Sequence, residues 1–222
     1  MNDPAGKIRG RRLLDIGTGP CIHSVISASK WFVEITLTDF AEPNRRELTK
    51  WWKKEEGAWD WEVFFRYVAN MEGNEQKWKH DQDNIREKIQ GVYFCDVAQT
   101  NPLLHKCDPF DAITSCLCLE AACPTEEAYE QAIKNVASLL KAGGFLVMVG
   151  VLGESYYAVG EYKFFALPMS QKLVTRSLEK SGFEDITWYQ FDSQRKEDED
   201  FIRTVSNYRG SFVVTATKIG DV

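Results

Sequence analysis

Short apolar runs alternate with longer amphipathic stretches along most of the chain. The runs at 12–16, 33–38, 92–95, 112–116, 145–151, 186–191 and 211–217 read as strands. Periodic segments at 22–30, 43–54, 125–140 and 170–181 read as helices. Alternating strands and helices predict an α/β protein with a mostly parallel sheet covered on both faces. Boundary residues agree with these limits. Ser170 can cap a helix that ends before Gly182, and Glu126 and Glu127 follow Pro124 and Thr125 into a first turn. Lys141-Ala142-Gly143-Gly144 ends one helix and opens the next strand. Residues 55–91 form a polar insertion, whose charged part, 73–90, predicts a surface helix without a site. A second charged run, 195–203, predicts a solvated hairpin loop. No repeat or second domain is visible, so one domain over 1–222 is expected.

With 222 residues and 44% hydrophobic content the chain can bury a full core. Its net charge of −6 argues against nucleic acid as the main partner. No apolar run approaches the ~18 residues of a membrane span, and residues 1–12 are polar and basic, unlike a secretory signal. A cytoplasmic monomer in a reducing compartment is expected. Cys116, Cys118 and Cys123 lack the paired spacing and histidines of a zinc site, so no metal is expected. Cys95, Cys116 and Cys118 lie in or beside apolar strands and read as small buried residues. His80 and His105, in charged or loop context, read as surface residues.

The chemistry concentrates at strand ends. Leu13-Leu14-Asp15-Ile16-Gly17-Thr18-Gly19-Pro20 is an apolar run closing in an acid and a GxG turn, and Asp39 closes the next strand. Such a turn brings backbone close to a nucleotide-like ligand, and an acid on the second strand end can hold ribose hydroxyls. Pro20 removes a donor that a pyrophosphate would use. The loop therefore suits adenosine with a methionine tail better than a dinucleotide. An NAD-dependent oxidoreductase would want a third glycine, and Pro20-Cys21 argues against it. Each candidate also has a plainer reading. Asp15 could merely orient the loop by accepting backbone N–H bonds. Phe40 could be core packing, Asn44 helix-start chemistry, and Asp96 a turn cap. Glu154 in a Gly-Glu-Ser loop could be a solvated surface acid. Glu120, among Leu119, Ala121 and Ala122, would be costly to bury idle.

Taken together, Asp15 to Pro20, Thr38-Asp39-Phe40 and Asn44 resemble the cofactor motifs of class I S-adenosylmethionine-dependent methyltransferases. More narrowly the chain resembles the nicotinamide, phenylethanolamine and indolethylamine N-methyltransferase family. The stretches 51–61 (WWKKEEGAWDW), 116–124 (CLCLEAACP), 139–147 (LLKAGGFLV) and Glu154-Ser155-Tyr156-Tyr157 make this specific, and the similarity runs from Leu13 to Lys218. The resemblance implies a Rossmann-like class I methyltransferase fold with S-adenosylmethionine as cofactor. It implies that Gly17, Thr18 and Gly19 line the methionine part, Asp39 takes the ribose, and Phe40 and Asn44 assist. It places Asp96 and Val97 at the adenine edge and Cys116, Leu117 and Cys118 near the sulfonium. Glu120, Ala121, Gly150, Glu154 and Tyr157 would face the acceptor. Cys21 and His23 stand where the family usually has threonine and tyrosine. The family's N-terminal helical lid is not matched, so a cofactor-binding homologue with little or no turnover is the alternative.

Two acceptor types remain. A pyridine nitrogen such as nicotinamide's has no proton to lose, whereas an aliphatic amine arrives as an ammonium and must be held and deprotonated. Glu120 and Glu154 suit the second task as catalytic residues. Within the family, Glu120 with Gly150 and Glu154 looks more like the amine branch, and the nicotinamide branch tends to have aspartates at 120 and 150 and serine at 154.

Overall fold

The computed structural model describes residues 8–192 and 204–220, and the loop predicted at 195–203 lies outside them. The strands are β1 (Arg12–Ile16), β2 (Glu34–Asp39), β3 (Ile89–Phe94), β4 (Phe110–Cys116), β5 (Leu140–Leu152), β6 (Tyr156–Val159), β7 (Tyr162–Phe165), β8 (Phe183–Asp192) and β9 (Gly210–Lys218). The helices are α1 (His23–Ile26), α2 (Glu42–Lys53), α3 (Glu62–Met71), α4 (Trp78–Lys88), α5 (Leu119–Ala122), α6 (Glu126–Ala137) and α7 (Gln171–Lys180). Among the described residues seven strands hydrogen-bond in the order β3-β2-β1-β4-β5-β9-β8, a mostly parallel sheet. Residues up to Asp96, with Phe110–Thr114, cluster as one compact unit, and Val97–Pro109 with the chain from Ser115 as another.

In the first unit β1 is buried from Leu13 through Ile16, as a strand covered on both faces requires. It pairs in parallel with β2, and β2 with β3, so Ile16, Asp39 and Phe94 finish on one edge. Asp111 secures the other end of β1: its Oδ2 accepts from the backbone N–H of Arg11 (2.9 Å) and Arg12 (2.7 Å). The helix expected at 22–30 breaks. α1 ends at Ile26 and a tighter 3-10 turn, Ala28–Trp31, follows. Side chains take the carbonyls a continuous helix would use. Ser29 Oγ donates to Ile26 O at 2.8 Å, and Lys88 Nζ to Ser29 O at 2.6 Å.

The polar insertion is more ordered than its composition suggests. α3, absent from the sequence reading, buries Phe65 and Ala69 one turn apart, in line with Trp61 before it. α4 lies inside the predicted surface helix but is not solvated all round. Ile85 and Asp81 are buried, and Asp81 sits 3.7 Å from Lys30 Nζ and 3.6 Å from Lys77 Nζ.

In the second unit β9 keeps strict alternation, burying Gly210, Phe212, Val214 and Ala216. It runs antiparallel to both β5 and β8. β5 begins at Leu140, earlier than expected, because α6 stops at Ala137; the pairing with β9 still starts at Phe145. Thr125 and Ser170 cap α6 and α7, accepting from Ala128 N at 3.2 Å and Leu173 N at 3.1 Å. The β6–β7 hairpin and α5 were not foreseen. No helix among the described residues is long and apolar enough to cross a membrane.

Because Asp111 serves two backbone donors at once, Asp111→Ala is expected to cost about 2 kcal/mol of stability in urea denaturation. Asp111→Asn, which keeps an acceptor, is expected to recover part of that loss. An unchanged midpoint in the alanine variant would show that solvent satisfies these donors equally well.

Candidate functional site

Asp15, at 1% exposure, closes β1 facing inward. Its carboxylate accepts from Ser24 Oγ at 3.0 Å and from Thr114 Oγ1, and its carbonyl from Thr38 Oγ1 at 2.8 Å. Hydroxyls, not the loop N–H groups of the plainer reading, satisfy it. Burial pushes its carboxyl above the usual range, with the Thr114, Thr18 and Ser24 hydroxyls pulling the other way. Gly17 and Gly19 both take left-handed backbone (φ 67°), which glycine adopts freely. A Cβ on Gly19 would meet nothing within 4 Å, so the loop borders open space. Thr18 ties the loop to β2: its N–H donates to Thr38 O (2.9 Å), and its hydroxyl accepts from Thr38 N–H (3.2 Å).

Asp39 joins three pieces of chain. Oδ2 accepts from Gly19 N–H (2.8 Å), and Oδ1 from Ala41 N–H (2.8 Å) and Asn44 Nδ2 (3.0 Å). A carboxylate offers about four acceptor positions, so Oδ2 keeps one for a ligand. Asn44 therefore buttresses the acid. Phe40 is 66% exposed and so is not core; its ring lies 5.5 Å from that of Phe94. Cys21 is half-buried, and burial followed by Asp39 raises its thiol pKa. His23 begins α1 with its ring 6.4 Å from both Trp61 and Phe64. Asp96 follows β3 half-buried, and Cys95 before it is buried with its thiol pushed up to about 12, mainly by burial. An adenosine-type ligand fits this set: an exposed aromatic, a spare carboxylate lone pair and a glycine loop open on one side.

The second unit holds the remaining residues. Val97 is buried, its carbonyl accepting from Asn135 Nδ2 at 2.8 Å. Cys116 and Cys118 are half-buried, less enclosed than expected, because they follow the last core positions of β4 into the turn. Leu117 between them is 54% exposed with φ 51°. A left-handed leucine costs about 1–3 kcal/mol, and here the bond from its N–H to Val149 O at 2.9 Å holds it.

Glu120, on α5, is buried, and its Oε1 accepts from Val151 N–H at 3.4 Å. Burial raises its pKa to about 7 against 4.5 ordinarily; two backbone N–H groups oppose the shift and Glu154 adds to it. Ser115, Tyr129 and Phe212 line a cavity of about 10 Å³ beside it. Glu154 is buried too, accepting from Ser206 Oγ; the solvated reading does not hold for it. Tyr157 is half-buried with its ring 5.4 Å from Phe164, and its pKa is raised by burial, then by Glu154, Glu120 and Cys118. Gly150 is buried: a Cβ there would stand 2.7 Å from Phe212 Cζ and 3.2 Å from Glu120 Oε1. Ala121 is exposed on α5. Among the described residues no cluster of His, Cys, Asp or Glu is placed to hold a metal.

Ser24, Thr114 and Ser206 escaped the sequence reading, and Thr38 entered it as a motif residue without its bond to Asp15. A hydroxyl that serves a carboxylate 99 residues away, as Thr114 serves Asp15, leaves no local signal.

The strand order, the glycine turn after β1 and the acid closing β2 define a Rossmann-like class I S-adenosylmethionine-dependent methyltransferase fold. A SAM-dependent methyltransferase from Methanosarcina mazei shares it at TM-score 0.63 and 18% identity, covering 100% of this chain and 99% of that one. The model of the NNMT/PNMT/TEMT family matches residues 4–219, and the chain belongs to that family. It is 39% identical over 213 residues to nicotinamide N-methyltransferase of Homo sapiens, covering 96% of this chain and 78% of the relative. It is 34% identical to phenylethanolamine N-methyltransferase of Macaca mulatta (97% and 76% covered) and 39% to indolethylamine N-methyltransferase of Oryctolagus cuniculus (81% and 68%).

The raised Glu120 pKa has a signed consequence for stability. Below about pH 4.5 the group is protonated whether folded or unfolded, so burial costs nothing electrostatic; stability is lost as pH rises through about 7. The gap between 4.5 and about 7 corresponds to about 3 kcal/mol at 1.36 kcal/mol per pH unit. Glu120→Gln is therefore expected to be more stable than the native chain at pH 8, by up to about 3 kcal/mol, and no more stable near pH 4. Denaturation at both pH values checks this; a variant less stable at pH 8 would show that the folded chain favours the charged form.

Proposed function

We propose that this chain is an S-adenosylmethionine-dependent N-methyltransferase whose acceptor is a small amine. The carrying observation is a pair of buried carboxylates, Glu120 and Glu154, neither within ion-pair reach of a Lys or Arg among the described residues. Buried acids left without a cation favour a ligand that brings one. Overall identity does not choose the acceptor, since the nicotinamide and indolethylamine relatives stand equally close at 39%. The acids support the amine, because a pyridine nitrogen carries no proton to remove.

The cofactor supplies a methyl group on a sulfonium, electrophilic at carbon. Asp39 would hold the ribose through the free position on Oδ2, with Gly17 to Gly19 along the methionine part and Phe40 over the adenine, and the family resemblance assigns Asp96 and Val97 to the adenine edge. The family resemblance assigns Cys116, Leu117 and Cys118 to the sulfur and Gly150, Ala121 and Tyr157 to the acceptor. One glutamate holds the ammonium and the other takes its proton, which frees the nitrogen lone pair. A base with pKa about 7 accepts a proton from an alkylammonium more readily than one at 4.5, by about 3 kcal/mol. Holding nucleophile and methyl in line can contribute roughly 7–11 kcal/mol more.

Calorimetric titration with S-adenosylhomocysteine tests the cofactor half: binding is expected in the native chain and loss of it in Asp39→Ala. Turnover on a panel of arylalkylamines and nicotinamide tests the other half. Glu120→Gln is expected to lower kcat on the best amine about 100-fold or more, with any pyridine turnover nearly unchanged. Full amine turnover in that variant would remove Glu120 from the chemistry. A folded native chain that ignores the cofactor product would remove the methyltransferase reading itself.

A further inference from the structure

Beyond the residues that the motifs pick out, the first unit contains a cation whose placement none of them explains. Arg45 lies in α2, close after the acid that ends β2, yet it makes no bond to that carboxylate. Its Nη1 donates to two consecutive backbone carbonyls, Asp39 O at 2.9 Å and Phe40 O at 2.6 Å. Its guanidinium carbon also stands 5.4 Å from the centre of the Phe94 ring, which in turn lies against Phe40. Charge-assisted bonds to carbonyls are stronger than neutral ones, and a guanidinium over a ring adds a cation–π attraction.

We infer that Arg45 is a positioning residue for the adenosine half of the cofactor: it fixes the Asp39–Phe40 peptide and, through Phe94, the tilt of the Phe40 ring. The inference rests on the cofactor reading above. Phe40 is mostly exposed, so little packing sets its orientation from outside. An exposed ring pays for its freedom when a flat ligand must stack on it, and fixing it beforehand removes that cost. The same clamp acts on the acid. Asp39 Oδ1 is committed to Ala41 N–H and Asn44, so locking the carbonyl of the same residue aims Oδ2 in one direction. Lysine reproduces this only in part, since its ammonium can reach carbonyls but stacks less well on the Phe94 ring.

The test is calorimetric titration of the full chain and its variants with S-adenosylhomocysteine and with adenosine. Arg45→Ala is expected to weaken both ligands by the same factor, at least about tenfold, with Arg45→Lys in between. Its thermal unfolding midpoint should stay within a few degrees of native. Combining Arg45→Ala with Phe40→Ala should cost less than the sum of the two, because they act through one platform. Binding in Arg45→Ala within about twofold of native, or strict additivity with Phe40→Ala, would overturn the inference while leaving the cofactor reading standing. Should Arg45→Ala fail to fold, Arg45→Lys carries the same comparison, and native-like affinity there would overturn it equally. A native chain that binds neither ligand would overturn both readings.

Discussion

A carboxylate taken out of water needs donors, and the way this chain supplies them shapes both of its compact units. Asp15, Asp39, Glu120 and Glu154 are all buried, and among the described residues each is met by hydroxyl, amide or backbone N–H groups. Basic side chains meet other acids: Lys30 and Lys77 approach the buried Asp81, and further pairs form nearer solvent. Arg11 pairs with Glu34, Lys54 with Asp83, and Arg176 and Lys180 with Glu130, all toward the surface. Neutral donors hold a carboxylate in place without cancelling its charge. Among the described residues no counter-charge is supplied, so burial raises the pKa of Asp15 and of Glu120, and a cation brought alongside would favour their charged forms.

Within the first unit this arrangement also carries the mechanics. The backbone of Thr18 is tied to Thr38, and that of Gly19 to the Asp39 side chain. The glycine turn and the end of β2 thus move as one body. A ligand that pulls on Asp39 would pull on the loop as well, so whatever binds at the acid and whatever lies against the glycines are coupled through short bonds.

The sequence disclosed the central strands well, for a physical reason. β1 sits in the sheet interior, so its apolar run is continuous and its limits, Arg12 to Ile16, were legible to the residue. The elements that escaped have little buried surface to announce them. α3 buries only Phe65 and Ala69, and β7 has no buried residue at all. The acids at strand ends could be found because an acid between apolar neighbours is conspicuous. Their partners could not, because Ser24, Ser206 and Thr114 look like any other small polar residue until folding delivers them. Arg45 was likewise unreadable: nothing in its neighbours says that its guanidinium bonds the Asp39 and Phe40 carbonyls.

Gly150 bears on how such a chain can diverge. The place its side chain would occupy is already filled by the Phe212 ring and the Glu120 carboxyl. A side chain at 150 can be accommodated only if the Phe212 ring shifts or shrinks, and shrinking it alone opens a void against a buried acid. Neither single step is neutral. Any side chain at 150 therefore has to be matched by a change in what surrounds it, and the smallest residue is held there by the ring and the acid it touches.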